Sequence, residues 1–131
     1  MLINISNHSF AKWSAAQKQA ANQLFGEVRD LPFPAIDPQA DLNSIITIAQ
    51  EYVQKCQAFI QRQATSIQHP ETAIHIMGEM TFVYQFVKLA TAAGLRCVAS
   101  TTERTVTDHP DGSKTSEFRF VRFRKYEPPD G

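Results

Sequence analysis

Short apolar runs alternate along this chain with longer segments of helical period. The first run, Leu2-Ile3-Asn4-Ile5-Ser6, starts almost at residue 1 and ends at Asn7-His8-Ser9. A helix rich in Ala and Gln is predicted over about residues 11–25, with Gly26 where a capping glycine belongs. EVRDLPFP reads as a second strand stopped by Pro32 and Pro34. After the loop IDPQADLN, Asp41 stands at an N-cap position. A long helix follows over about 42–63, with Ile45, Ile46, Ala49, Tyr52, Val53, Cys56, Phe59 and Ile60 at near-helical spacing. A loop, TSIQHPE, leads to the strand Ala73–Met77, the turn Gly78-Glu79 and a helix starting at Met80 and running to about 93. Gly94 caps that helix, and Leu95–Ala99 is a fourth strand.

Strands separated by helices predict an α/β fold of Rossmann-like, three-layer type, with a mostly parallel sheet of order about 2-1-3-4. The grammar then changes. Residues 101–108 stay strand-like, HPDG (109–112) is a turn with a hairpin signal at Asp111-Gly112, and residues 115–126 form another strand. This predicts a C-terminal antiparallel β-hairpin. Phe118 and Phe120 share a phase that Phe123 breaks, which calls for a bulge or for a strand covered on both faces. The expected organisation is one domain, residues 1–126, with a flexible tail at 127–131.

Composition narrows the partners. The 131 residues carry 13 Lys+Arg against 13 Asp+Glu, and 43% are hydrophobic, enough for a single core. A balanced charge argues against duplex DNA, where many phosphates must be neutralised. No stretch approaches the ~20 apolar residues of a membrane span, and MLINISNH lacks the pattern of a signal peptide. Cys56 and Cys97 sit in apolar settings without CxxC spacing and read as buried free thiols. Together these point to a cytoplasmic protein.

Open α/β sheets bind ligands at the carboxyl ends of their strands, where the order reverses. In the predicted order, that edge gathers Ser6-Asn7-His8-Ser9 from strand 1, Met77-Gly78-Glu79 from strand 3 and Ser100-Thr101-Thr102 from strand 4. Gly78 either lets the backbone approach a ligand, with phosphate on the helix start at Met80, or only makes a tight turn. His8 is either a site residue or a solvent-facing cap, and His75, inside a strand, reads as core or a sheet contact. The Ser-Thr-Thr run is either a rim of donors or an ordinary strand. His69 and His109 lie in loops, and Trp13 and Phe82 read as packing residues. There is no GxGxxG, no Walker loop, no GxSxG and no metal-ligand spacing, so neither metal nor cofactor is expected. The segment RFVRFRKY interleaves Arg119, Arg122, Arg124 and Lys125 with aromatics. It is either a charged edge strand or a stacking surface for nucleotides.

The start LINISNH, the strand-turn-helix AIHIMGEMTFVYQFVKLATAAGL, the segment CVASTTERTV and the ending FRFVRFRKYE resemble the small stand-alone CRISPR-associated ring nucleases of type III loci, with their CARF-related fold. The resemblance runs along about residues 1–126. It implies a homodimer that binds cyclic oligoadenylate, cyclic tetra-adenylate first, and cuts it without metal by in-line attack of a ribose 2′-hydroxyl. On this reading Asn7 and His8 contact the scissile ribose-phosphate, with His8 as acid or base. Ser100 and Thr101 join them in catalysis, while Ser9, Gly78, Glu79, Met80, Thr102, Glu103 and Arg104 bind the ligand. The alternatives are a sensor or sponge that binds without cutting, and a structural or interaction protein.

Overall fold

The computed structural model describes residues 1–63 and 71–127. Most of the loop expected at 65–71, with His69, and the tail at 128–131 lie outside the described residues. Five strands form one sheet: β1 (Leu2–Ile5), β2 (Val28–Asp30), β3 (Ala73–Ile76), β4 (Cys97–Asp108) and β5 (Lys114–Lys125). Their order is β2-β1-β3-β4-β5, parallel except for the antiparallel β4–β5 pair. Among the described residues three α-helices pack with it: α1 (Ala15–Phe25), α2 (Leu42–Gln63) and α3 (Met80–Ala92). The expected order and the C-terminal hairpin are both present. None of the helices, among the described residues, is long and apolar enough to cross a membrane.

Strand alternation sorts the core into two faces. Ile3, Ile5, Ile74, Ile76 and Cys97 pack against Ile45, Ala49, Val53 and Cys56 of α2 and Phe82, Phe86 and Ala90 of α3. On the opposite face Leu2, Ala73, Val98 and Phe123 meet Ala21 and Phe25 of α1, with Trp13. Helices therefore cover both sides of the sheet. Cys56 and Cys97 are buried free thiols, and burial pushes each up to about 12.

Two boundaries differ from the sequence pattern. The first helix is shorter than expected: a 3-10 turn, Phe10–Lys12, comes first, and α1 begins after Ser14. Ser14 is its N-cap, accepting from the Gln17 N–H at 3.2 Å, while Trp13 stays extended and turns its ring into the core. The two strand-like segments before the hairpin are one continuous β4. The phase slip in β5 is a bulge. Thr101 pairs with Arg122 and Thr102 with Phe120, which leaves Val121 unopposed. The extra residue puts Phe120 and Phe123 on one face, 4.9 Å apart. β5 is the sheet's outer strand, and its basic residues lie along that edge.

The turn after β3 is fixed by packing. A Cβ on Gly78 would lie 2.3 Å from Cε2 of Phe33, whose ring stands edge-on to the buried Phe82 at 5.2 Å. Only a glycine passes under that ring without moving it. Replacing Gly78 with Ala is expected to cost about 1–3 kcal/mol, read as a lowered urea midpoint with unchanged slope. Combining it with Phe33→Ala should cost less than the sum of the two single changes. Strict additivity would show that the close approach is not what holds residue 78 to glycine.

Candidate active site

At the carboxyl ends of β1 and β3, beside the first half of β4, lies a cleft of about 380 Å³. Asn7, His8, Gly78, Ser100 and Thr102, from three separate parts of the chain, all line it. The remaining candidates stand elsewhere. Ser9 faces a neighbouring hollow beside Asp30. Thr101 points to the other side of β4, where its hydroxyl donates to the Arg122 carbonyl at 3.1 Å. Glu103 and Arg104 lie further out on the β4–β5 arm. The Arg104 guanidinium contacts Ser116 Oγ at 3.2 Å and stands over the Phe118 ring.

The start of α3 differs from the expected phosphate cradle. The Glu79 carboxylate caps its own helix, accepting from the N–H groups of Thr81 at 3.0 Å and Phe82 at 2.8 Å. These bonds hold its pKa below the usual carboxylate range. Both oxygens also take the Thr81 hydroxyl. A phosphate at this terminus would have to displace a carboxylate already in place. Met80 is 82% exposed and lines a larger apolar groove of about 980 Å³ along α3. The groove's surface is mostly apolar, with Lys88 and Glu127 among its lining, and of the predicted site residues it takes only Gly78 and Met80, so the cleft that gathers Asn7, His8, Gly78, Ser100 and Thr102 is the candidate site.

Beneath the cleft runs a chain of polar side chains that the sequence did not announce. Asn4 and His75 are each 2% exposed, the two buried polar residues of the described core. They are register partners on β1 and β3, and both point to the α1 face. Asn4 Nδ2 donates to Asp30 Oδ1 at 2.8 Å and to the His8 carbonyl at 2.9 Å. Its Oδ1 is 2.9 Å from His75 Nδ1 and accepts from Ser6 Oγ at 2.9 Å. His75 Nε2 lies 2.7 Å from Ser100 Oγ, which also accepts from Gln17 Nε2 at 3.0 Å. Trp13 stacks edge-on against the imidazole at 5.1 Å and donates its Nε1–H to the His8 carbonyl at 3.1 Å. Phe123 closes the other side, 5.8 Å away.

Burial pushes His75 down to about 4, so the imidazole is neutral near pH 7. Among the described residues, no three His, Cys, Asp or Glu side chains stand together as a cation site. His75 and Asn4 are the functional candidates that sequence reasoning missed. Their signal was present: LINI and AIHI each carry one polar residue, at the third position of an otherwise apolar strand.

The molecule is thus an α/β protein with a polar cleft at the carboxyl edge of a mixed sheet. Residues 1–124 match the family described as the uncharacterized protein MJ1673 family, and the chain belongs to it. No curated protein and no solved structure matches the chain.

The buried imidazole makes stability depend on pH. His75 titrates near 6.5 when unfolded and near 4 when folded, so between those values the unfolded chain binds the extra proton. Stability is full above about pH 6.5 and falls as pH drops toward 4, by about 3 kcal/mol. Urea midpoints across that window measure it. His75→Gln should flatten the curve there, and an unchanged slope in that variant would assign the effect to other groups.

Proposed function

We infer that this chain is a Rossmann-like, CARF-related ring nuclease that binds cyclic oligoadenylate and cuts it without metal. The observation that carries the reading is the convergence of Asn7, His8, Gly78, Ser100 and Thr102 on one polar cleft at the sheet's carboxyl edge. The resemblance of LINISNH, AIHIMGEM, CVASTTERTV and FRFVRFRKYE to the small stand-alone enzymes of type III CRISPR loci supports it. The cleft suits a ribonucleotide. Amide, imidazole and hydroxyl groups reach for ribose and phosphate, and Lys12 supplies a cation at the rim. Phe118 and Phe120 offer rings on which an adenine stacks.

In the reaction a ribose 2′-hydroxyl attacks the adjacent phosphorus in line and the 5′-oxygen leaves. The products are linear and end in a 2′,3′-cyclic phosphate. The protein's part is to hold that geometry and to stabilise the charge growing on the phosphate. Cutting the ring ends its action as a messenger. A ring with rotational symmetry fits a homodimer across a two-fold axis. Phe118 and Val121, 67% and 56% exposed on the β4–β5 arm, are apolar surface available for the second copy.

The test is incubation of the pure protein with cyclic tetra-adenylate, and separately cyclic hexa-adenylate, in the presence of EDTA. Mass spectrometry should find linear products with a 2′,3′-cyclic phosphate. Phe118→Ala should weaken ring binding about tenfold, the loss of one stacked base. Tight binding without products would make the chain a sensor or sponge. The absence of binding to either ring would leave an interaction protein whose arm meets another subunit.

A further inference from the structure

The hydrogen bonds beneath the cleft run in one direction. Asp30 Oδ1 and the His8 carbonyl can only accept, so Asn4 must face them with its amide NH₂. Asn4 Oδ1 therefore faces His75 Nδ1, which must carry the ring proton. The neutral imidazole has one proton, so Nε2 is an acceptor and the Ser100 hydroxyl must donate to it. One Ser100 lone pair takes the Gln17 amide. Ser100 thus shows the cleft a lone pair and no proton. This is the arrangement of an oriented base behind a hydroxyl, with Asn4 in the orienting place.

We propose that Asn4, His75 and Ser100 form a proton relay that accepts the proton of a ligand hydroxyl bound in the cleft. The proposal rests on the nucleotide reading above and names that hydroxyl as the ribose 2′-OH. The 2′-OH donates to Ser100 Oγ. As the 2′-oxygen bonds to phosphorus, its proton passes to Ser100 and the Ser100 proton passes to His75 Nε2. The P–O5′ bond breaks and the 5′-oxygen takes a proton from water; the buried imidazolium hands its Nε2 proton back to Ser100, whose hydroxyl releases one proton to the hydroxide that water leaves in the cleft. Ser100 is the catalytic residue, and His75 and Asn4 are positioning residues that act through it. The acceptor-only face that Ser100 shows the cleft has a second consequence: a 2′-deoxy or 2′-O-methyl ring has no proton to donate there and loses its partner at Ser100. A phosphate oxygen gains nothing there, because it too can only accept.

Two measurements decide the matter. Nitrogen-15 NMR of the imidazoles in the wild-type chain should show His75 as the Nδ1–H tautomer, and an Nε2–H tautomer would overturn the relay. Single-turnover cleavage of cyclic tetra-adenylate, with binding measured alongside, then compares wild type with Ser100→Ala and His75→Gln. Ser100→Ala is the milder change and stands as the test if His75→Gln unfolds. The expected result is cleavage at least about 100-fold slower in both variants, with ring binding by His75→Gln within about threefold of wild type and by Ser100→Ala weaker by the one lost 2′-OH hydrogen bond, up to about tenfold. Variants that cut as fast as wild type would overturn the relay and leave the ring-nuclease reading standing. A wild type that binds the ring without cutting it overturns relay and nuclease together but keeps the nucleotide ligand. A wild type that does not bind the ring removes the ligand as well.

Discussion

The sheet is held in register by a line of hydrogen bonds that starts at the exposed Asp30, runs through the buried Asn4 and His75 and ends at the half-buried Ser100. It crosses β2, β1, β3 and β4 in turn, and Gln17 ties its end to α1. Asn4 and His75 are costly to bury alone and inexpensive to bury when paired. The line closes only if Asn4 lies opposite His75 and His75 opposite Val98, which puts Ser100 two residues further along β4 on the same face; that is the register observed. A slip of one residue would turn Asn4 and His75 into the apolar layer under α2 and α3. The same bonds therefore select the fold and set the chemistry of the cleft floor. No buried side-chain polar atom among the described residues lacks a partner, so the network is complete as it stands.

β4 and β5 outrun the rest of the sheet. β3 ends at Ile76 and pairs with β4 only at Cys97 and Val98, while β4 continues to Asp108. Beyond Ser100 the two strands form an arm with no third neighbour, and a two-stranded ribbon has little stability of its own. Its root is secured by Phe123, which is buried against Phe25 and Trp13, and by Tyr126, whose hydroxyl donates to the Ile76 carbonyl at 2.9 Å. The bulge at Val121 lies just past Ser100 and realigns the aromatics, so that Phe120 follows Phe123 over the cleft wall. A sheet edge with a bulge next to a polar cleft is a recurring way of aiming side chains at a site.

The elements themselves were legible because their periods are strong. The α2 stripe, the Asp41 cap and the Asp-Gly turn each have a local cause that needs no tertiary context. The site was legible only as an edge. Strand-end logic brought Asn7, His8, Gly78, Ser100 and Thr102 together, but it could not tell which neighbours of Ser100 point the same way. Thr101 failed to join because strands alternate, and Glu79 failed because it satisfies its own helix. Asn4 and His75 were hidden for the opposite reason. Strands buried on both faces read as continuous apolar runs, and one polar residue in four is easily taken for tolerance. Reading the two strands side by side, with the polar position matched in each, recovers the pair.

The segment Ser100-Thr101-Thr102 shows why residue type alone does not define a site. Three hydroxyls of the same chemistry stand in a row, yet only two reach the cleft. Thr101 donates across the ladder and braces β4 against β5 at the bulge. Thr102 lines the rim. The hydroxyl of Ser100 is already committed to His75, so a side chain usually counted as a donor becomes an acceptor toward solvent. That reversal is fixed about 10 Å or more behind it, given the length of three successive hydrogen bonds and the rings between them, at the carboxylate of Asp30. The polarity a ligand meets in the cleft is therefore decided two strands away, by the acceptors that fix the Asn4 amide: the His8 carbonyl, and Asp30 on the opposite edge strand.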